Sequence, residues 1–168
     1  PTVPVKSVRE FIALARARPG QLTYASGGAG TSTHMSMELF KSMAKLNVRH
    51  IPYKGITPGI VDVIGGHVDS SFGTMPVALP YIRSGKLRAL AVTSEKRALA
   101  TPEILTVAEA ALPGFDAVNS VGVLAPAETP REIVIKLNAE LARILALPDV
   151  RERFAVIGAE PVGGSPEE

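Results

Sequence analysis

The amino-acid sequence predicts an α/β protein with a mainly parallel sheet. Short apolar segments alternate with longer segments whose apolar residues recur at helical spacing, and Gly and Pro separate the two kinds at regular intervals. Strands that alternate with helices in this way form right-handed βαβ units, in which the strands are parallel. The 168 residues suffice for one well-packed domain, or for one and a half lobes of a two-lobed protein.

The composition excludes several classes of function. The formal net charge is only +2 and the basic residues are scattered, while aromatic residues make up 5% with no Trp, so we predict no nucleic-acid partner. The absence of Cys excludes disulfides, Cys-based zinc sites and thiol nucleophiles. No run of 18 apolar residues could form a membrane span. We also expect no cofactor and no metal.

The first half of the chain contains well-marked elements. Ser7 and Glu10 have capping-box spacing, and Pro19-Gly20 ends the helix that they begin. The expected core face of this helix is Val8, Phe11, Ile12 and Ala15. Strands are predicted at 22–25, 48–52 and 68–72. Three further helices are predicted. The first follows the turn 26–31 and has the expected core face Met35, Leu39, Met43 and Leu46. The second begins with Thr57 as its cap and Pro58 at its first position, and the third begins at Thr74.

The second half continues the alternation. Residues 87–93 are almost continuously apolar, which is typical of a strand buried on both faces, and further strands are predicted at 117–124 and 160–162. Short helices are predicted from Thr106 and from about Pro148. The helix start at Thr129, Pro130 and Glu132 precedes a predicted core face of Ile133, Leu137, Leu141 and Leu145. Ser165-Pro166-Glu167 is another helix start, and the chain does not begin with Met, so we expect a fragment.

The strongest local motif is the Gly-rich turn between the first predicted strand and the second helix. The N-terminus of a helix presents unpaired N–H groups and partial positive charge, and therefore binds anions. Gly28 and Gly30 allow close approach to the backbone, and Ser26, Thr31 and Thr33 add hydroxyl groups. The pattern is neither a Walker loop nor a full dinucleotide fingerprint. A carboxylate or phosphate site and an empty Gly-rich turn both remain open.

Two further residues could join this site. Thr74 begins a helix directly after a strand, so in a parallel sheet it lies at the same carboxyl edge as the Gly-rich turn. His34 lies one turn into the second helix and could donate to an anion. His50 and His67 have no metal-like spacing to a partner and are interpreted as structural.

A hydrolase that uses Ser26 and His34 is a weaker alternative. The sequence has no Gly-x-Ser-x-Gly elbow and no obvious acidic residue to orient the histidine. No pair of carboxylates stands out for acid–base chemistry either. The sequence therefore favours a binding protein over an enzyme.

A set of ordered motifs resembles the Bug-type (TctC-like) receptors of tripartite tricarboxylate transporters over essentially the whole chain. The motifs are Pro19-Gly20-Gln21-Leu22-Thr23-Tyr24-Ala25-Ser26, Gly30-Thr31 with His34, His50-Ile51-Pro52-Tyr53-Lys54-Gly55, Gly65-Gly66-His67-Val68-Asp69, Ser84-Gly85-Lys86-Leu87-Arg88-Ala89-Leu90-Ala91-Val92-Thr93, Leu112-Pro113-Gly114-Phe115 and Gly158-Ala159-Glu160-Pro161. Each motif is weak alone, but their order and spacing together are specific.

The resemblance implies a fold similar to type II periplasmic binding proteins, with two lobes that close on a ligand. It implies a periplasmic receptor that passes a small carboxylate (a dicarboxylate, an aromatic acid or similar) to membrane permease subunits. Residues 5–118 would form lobe two, and residues 119–168 the returning part of an incomplete lobe one. The N-terminal part of lobe one, with a signal peptide before it, would be missing. Apolar sheet surface left exposed would favour self-association.

The same resemblance implies a set of ligand-binding residues. They are Ser26, Gly28, Gly30, Thr31, His34, Thr74 and Ser120. Two positions depart from the family pattern, because Gly73 stands where an acidic residue is frequent and Ser120 where an aromatic residue is frequent. The first change removes a partner for a ligand ammonium group. An effector-sensing domain of a transcription regulator with the same fold remains an alternative.

Overall fold

The three predicted strands of the first half form a parallel sheet. The computed structural model describes residues 3–166, and its sheet has the order β2-β1-β3, with both pairings parallel, as predicted. The strands are β1 Thr23–Ser26, β2 Arg49–Pro52 and β3 Ser70–Ser71. The helices are α1 Val8–Ala17, α2 Ser32–Ala44, α3 Ile56–Gly65, α4 Met75–Arg83, α5 Val107–Ala110, α6 Arg131–Leu145 and α7 Pro148–Val156.

The register of the sheet brings three polar side chains to one face. Tyr24 lies opposite His50, and Ser26 is two residues further along β1. Side chains of a strand alternate between its faces, so Tyr24, Ser26 and His50 share one face. On the other face, the Asp69 carboxylate accepts hydrogen bonds from the Thr23 backbone N–H at 2.8 Å and from its hydroxyl at 2.9 Å. This pair fixes the start of β3 against β1.

The core lies between the sheet and helices α1, α2 and α5. All four residues predicted for the inner face of α1 are buried, and the Ser7 hydroxyl caps this helix by accepting from Glu10 N–H. Phe40 of α2 packs between Phe11 and Phe115, with ring centroids 6.2 Å from each. Each buried side chain of this size contributes about 1.5–3 kcal/mol to folding through removal of apolar surface from water.

The inner face predicted for α2 was wrong within the helix, although Leu46, which follows the helix, does pack against the core. Met35, Leu39 and Met43 are exposed, whereas Met37, Phe40 and Ala44 are buried. Both sets have helical spacing, so periodicity alone did not separate them. The loop that leads into α2 sets its rotation, and the aromatic core selects the Phe40 face.

The start of α3 also differs from the prediction. Gly55, with φ of 96°, is the N-cap, so Thr57 and Pro58 lie inside the first turn. Proline is tolerated there because the first N–H groups of a helix have no intrahelical partner. The predicted starts at Thr74 and Thr106 are confirmed.

Three predicted strands do not form within residues 3–166. Residues 87–93 make a single isolated bridge, from Val92 to Thr106, although Leu90 and Ala91 pack against the core. Residues 117–124 and 160–162 form no ladder, and Val121 and Leu124 are more than 90% exposed. A strand is defined by its hydrogen-bonded neighbour, which an apolar sequence cannot supply by itself.

The last two helices carry an uncovered apolar stripe. Ile133, Leu137 and Leu141 of α6 are 37–50% exposed, so the core face predicted for this helix is not buried by any described residue. The helix begins after Pro130, one residue beyond the predicted cap. The region touches the sheet domain where the Arg83 guanidinium donates to Val156 carbonyl at 3.4 Å. Glu167 of the predicted final helix start lies outside the described residues.

The structure does not test the proposed division at residue 118. Ala117, next to this position, is still hydrogen-bonded to the sheet domain, since its N–H donates to the Thr93 carbonyl at 2.9 Å. Residues 118–126 have no regular secondary structure. Within residues 3–166, none of the helices is both long and apolar enough to cross a membrane.

Candidate anion-binding site at the carboxyl edge of the sheet

Each of the three strands is followed by a short loop and a helix at the same edge of the sheet. Helix α2 has Thr31 as its N-cap, α3 has Gly55 and α4 has Thr74. Because the strands are parallel, their carboxyl ends lie together, and the three helix N-termini lie at one edge.

The first N–H groups of these three helices donate no hydrogen bond to their N-cap side chains. Gly55 has no side chain, and neither the Thr31 nor the Thr74 hydroxyl caps its helix. Away from this edge, the Ser7 and Thr106 hydroxyls do cap α1 and α5. His34 N–H and Val77 N–H donate to the backbone carbonyls of Thr31 and Thr74 at 3.0 and 3.1 Å, and Pro76 has no N–H. The two threonines therefore leave the N–H groups of Ser32, Thr33 and Met75 without a side-chain cap at this edge.

The Gly-rich loop between β1 and α2 is held by its own hydroxyl groups. Thr31 Oγ1 donates to Gly28 carbonyl at 2.7 Å, and Thr33 Oγ1 accepts from Gly27 N–H at 2.9 Å. Gly28 has φ of 125° and Gly30 has φ of 78°, conformations that side-chain-bearing residues rarely adopt. A side chain at Gly28 would also meet Tyr53 carbonyl, because an added Cβ would lie 3.3 Å from that oxygen.

Backbone hydrogen bonds join this loop to the next one. Tyr53 N–H donates to Ser26 carbonyl at 3.0 Å, and Gly55 N–H donates to Gly27 carbonyl at 3.1 Å. The loops that lead into α2 and α3 therefore form one unit.

Ser26 lies beneath the loop and has no exposed surface. Its Oγ accepts from Gly28 N–H at 3.1 Å and lies 3.2 Å from Gly28 carbonyl and 2.6 Å from His50 Nε2. The structure thus pairs Ser26 with His50 and not with His34, the base named in the hydrolase alternative. A fully buried hydroxyl is also a poor nucleophile for a substrate that arrives from solvent.

His34 supports the loop from above. Its Nδ1 accepts from Gly30 N–H at 3.2 Å, so this nitrogen carries no proton in the observed geometry. The imidazole stacks on His50 with ring centroids 4.3 Å apart, and His50 stacks on Tyr24 at 4.8 Å. The Tyr24 and His34 centroids are 6.4 Å apart, so the three rings form a compact cluster and not a linear stack, which we call the Tyr24–His50–His34 cluster.

An acidic and basic pair on α2 contacts the Tyr24 side of this cluster. Glu38 accepts from the Tyr24 hydroxyl and from Lys41 Nζ, both at 2.6 Å. Burial raises the pKa of Glu38, but the hydrogen bonds from Lys41 and Tyr24 outweigh it, so the pKa lies below its usual value. Burial and the Glu38 carboxylate together raise the pKa of Tyr24.

Burial also lowers the pKa of His50, and the neighbouring His34 lowers it further. The hydrogen bond from the Tyr53 hydroxyl to Asp62 raises the pKa of Tyr53 to about 12. At neutral pH the loop therefore offers backbone N–H groups, helix dipoles and neutral hydroxyls, and this set suits an anion such as a carboxylate.

The structure brings most of the predicted site residues together. Ser26, Gly28, Gly30, Thr31 and His34 belong to one hydrogen-bonded loop. Thr74 begins α4 at the same sheet edge. Ser120 is exposed in a segment without regular structure, outside the contacts described above.

Two residues of this edge were not predicted from the sequence. Gly55 supplies the third uncapped helix start, and His50 contacts Ser26. The position of Gly55 directly after a predicted strand could have indicated the first. The contact of His50 depends on strand register, which the sequence did not provide.

The whole chain matches one family model. Residues 1–168 match the model of the tripartite tricarboxylate transporter family receptor. The chain belongs to this receptor family. The resemblance of the ordered motifs is thereby confirmed.

Relatives and solved structures agree with this family. The chain is 38% identical to protein BugT of Bordetella pertussis over 168 residues, which are all of this chain and 52% of BugT. It superposes on an R. palustris protein solved with adipate with a TM-score of 0.92 and 38% identity, covering 99% of this chain and 56% of that one. It superposes on MatC from Rhodopseudomonas palustris with bound malate with a TM-score of 0.82 and 31% identity, covering 98% of this chain and 55% of MatC.

These receptor structures include the periplasmic binding protein BugD, at a TM-score of 0.80 and 30% identity over 95% of this chain and 53% of BugD. The α/β fold of the periplasmic-binding-protein type is therefore confirmed. The chain spans about half the length of the relatives that it matches.

Proposed function

We propose that the chain is the part of a periplasmic solute-binding receptor that holds a small carboxylate for a tripartite tricarboxylate transporter. The ligand carboxylate binds at the edge formed by the N-termini of α2, α3 and α4, and membrane permease subunits receive the solute. The protein acts by binding and release, without a chemical step on the ligand.

The uncapped helix starts at Thr31, Gly55 and Thr74 carry this proposal. An unpaired N–H group costs free energy unless water or a ligand satisfies it, and helix dipoles favour negative charge at this end. The glycines of the α2 loop allow an anion to reach the backbone. Three converging helix starts select an anion through donors that stay in place at every pH at which the protein is folded.

The neighbours solved with adipate and malate support a carboxylate. Gly73 supports an acid without an ammonium group, because this position offers no carboxylate to pair with one. A dicarboxylate or an aromatic acid therefore fits better than an amino acid.

We further propose that residues 5–118 form the lobe that carries the anion loop, and that residues 119–168 belong to the other lobe. The exposed apolar residues of 118–124 and α6 support this division, because a stable lobe buries such a stripe. On this division, Ser120 reaches the ligand only when both lobes are assembled.

Thermal unfolding against a panel of acids tests the proposal. The protein at its full natural length is melted with adipate, malate, monocarboxylates and aromatic acids, with adipamide as an uncharged control. Binding to the folded state raises the unfolding midpoint, by about 2.7 kcal/mol of stability at a hundredfold excess over Kd. Thr31→Ala and Thr74→Ala are expected to reduce the shift, and Thr129→Ala, remote from the sheet edge, serves as the matched control.

An equal shift with adipamide would contradict anion recognition. A shift that survives both threonine substitutions would contradict the proposed location. If no acid raises the midpoint, the carboxylate-receptor proposal fails, and the effector-sensing alternative would then be tested with other ligand classes.

A further inference from the structure

The Ser26 hydroxyl has more partners than its single proton can serve. A serine hydroxyl has one proton and two lone pairs. Gly28 N–H occupies one lone pair at 3.1 Å. The proton can then point to His50 Nε2 at 2.6 Å or to Gly28 carbonyl at 3.2 Å, but not to both. The protonation state of His50 Nε2 decides between them.

The Gly28 carbonyl oxygen also has more possible donors than its two lone pairs can serve. It already accepts from Thr31 Oγ1 at 2.7 Å and from Thr31 N–H at 3.3 Å, and two donors fill its two lone pairs. When His50 Nε2 is an acceptor, Ser26 donates to it and Thr31 keeps the carbonyl. When His50 Nε2 carries a proton, it donates to Ser26, and Ser26 must compete with Thr31 for Gly28 carbonyl.

We propose that His50 is a positioning residue for the carboxylate site: a proton on its Nε2 reverses the Ser26 hydrogen bond, and the loop then releases the Thr31 hydroxyl to the ligand. This inference rests on the proposed function, since it assumes that a carboxylate binds at the Gly-rich loop. His50 does not touch the ligand and acts through two buried hydrogen bonds. In the neutral ring the proton is on Nδ1 and Nε2 is the acceptor, so carboxylate affinity increases as the pH falls and His50 takes up a second ring proton on Nε2.

The groups that face His50 set the pH at which this happens. Burial and His34, stacked at 4.3 Å, oppose a positive charge on His50, as does Lys41 of α2. Glu38 of α2 favours the charge, and Tyr24 of β1 stacks on the His50 ring at 4.8 Å. The net effect lowers the pKa of His50, so the change lies on the acidic side of the ordinary histidine range.

Calorimetric titration of the full-length protein with adipate and with malate tests the inference across acidic to neutral pH. The released hydroxyl donates to a charged carboxylate, so affinity is expected to rise roughly tenfold as His50 is protonated. Titration in buffers with different ionisation enthalpies is expected to show proton uptake on binding. Ligand carboxyl groups that bind in the ionised form release protons instead, so the sign separates the two sources.

Matched variants identify the route of this effect. Ser26→Ala breaks the relay, and His50→Gln cannot take up a proton, so both are expected to lose the tenfold rise and to keep only the pH dependence that ionisation of the ligand imposes. His67→Gln, an exposed histidine at the end of α3, is expected to keep the wild-type pH profile. A Ser26→Ala profile identical to that of the wild type would overturn the inference.

Amide NMR spectra of the ligand-free protein provide a second readout that does not depend on the ligand. The Gly28 and Thr31 amide resonances are expected to titrate with the midpoint of the His50 ring, and to stop doing so in Ser26→Ala. Continued titration in that variant would overturn the relay. A wild-type affinity profile that matches the Ser26→Ala profile at every pH overturns this inference alone, whereas the absence of binding by both anions at every pH overturns the proposed function with it.

Discussion

Replacement of Gly59 by alanine would test how closely α3 packs on the central strand. A Cβ added at Gly59 would lie 2.8 Å from Ala25 Cβ and 3.1 Å from Tyr53 Cδ2. Two carbon atoms pack at about 3.5–4.0 Å, so roughly 1 Å of separation is missing. Ala25 is fully buried in β1 and cannot move aside, so α3 itself must shift.

The magnitude follows from two opposing effects. Overpacking of this kind costs about 1–3 kcal/mol. Alanine gains about 1 kcal/mol over glycine in a helix interior. We therefore expect Gly59→Ala to lower the free energy of unfolding by about 1 kcal/mol, which corresponds to about 2–4 °C in the midpoint for a chain of this length.

Gly65 on the same helix provides the matched control. Its added Cβ would meet only the exposed His67 ring, at 3.0 Å, and this ring can rotate away. Gly65→Ala should therefore keep the helical gain and be neutral or more stable. Urea unfolding followed by circular dichroism would measure both variants. A Gly59→Ala protein as stable as Gly65→Ala would refute the packing argument.

A double substitution would show which contact is responsible. Ala25→Gly removes the opposing Cβ, so the cost of Gly59→Ala should be smaller in that background, with a coupling energy of about 0.5–3 kcal/mol. If the changes in unfolding free energy of the two substitutions were strictly additive, the contact between residues 25 and 59 would not be the source of the strain.

Three further predictions concern the loop, a cap and the acid limit of stability. Gly28→Ala should weaken carboxylate binding and cost about 1 kcal/mol or more of stability, because φ of 125° and the Tyr53 carbonyl both disfavour a side chain; a thermal shift equal to that of the wild type would contradict this. Thr106→Ala should cost about 1 kcal/mol by breaking the capping box with Glu109, as measured by urea unfolding, and Thr106→Ser should recover most of it. The pKa of Glu38 is lower when folded than when unfolded, so its stabilisation is present above the unfolded value and is lost as the pH falls through the folded one. The urea midpoint of the wild type should therefore fall more steeply than that of Glu38→Gln between pH about 6 and about 3, and parallel curves would contradict this.

The location of the candidate site could be predicted from the sequence because it depends on local chemistry. A strand, a Gly-rich turn and a helix start are adjacent in the chain, so Gly28, Gly30 and Thr31 could be assigned to one loop before the fold was known. Thr74, which follows the third strand and begins α4, could be placed beside them from the parallel topology alone. The role of Ser120 stays a prediction, because it depends on contacts that residues 3–166 do not make.

The chemistry beneath the loop could not be assigned in this way. His50 had no sequence signal, and it meets Ser26 only because the register of the sheet sets Tyr24 opposite His50. A shift of one residue would move every side chain of a strand to the other face. The same limit affected α2, where two faces with equal periodicity competed and only packing against Phe11 and Phe115 selected Phe40.

The sequence by itself determined the alternation of strands and helices over the first half of the chain, the parallel topology, the Gly-rich loop and the family, because these depend on periodicity, turn residues and motif order. Tertiary structure alone decided which apolar segments became strands and which histidine contacts Ser26. Hydrogen bonds between strands and contacts across the core join residues that are distant in the chain. Their free energies depend on the partner's position, and no local pattern encodes that position.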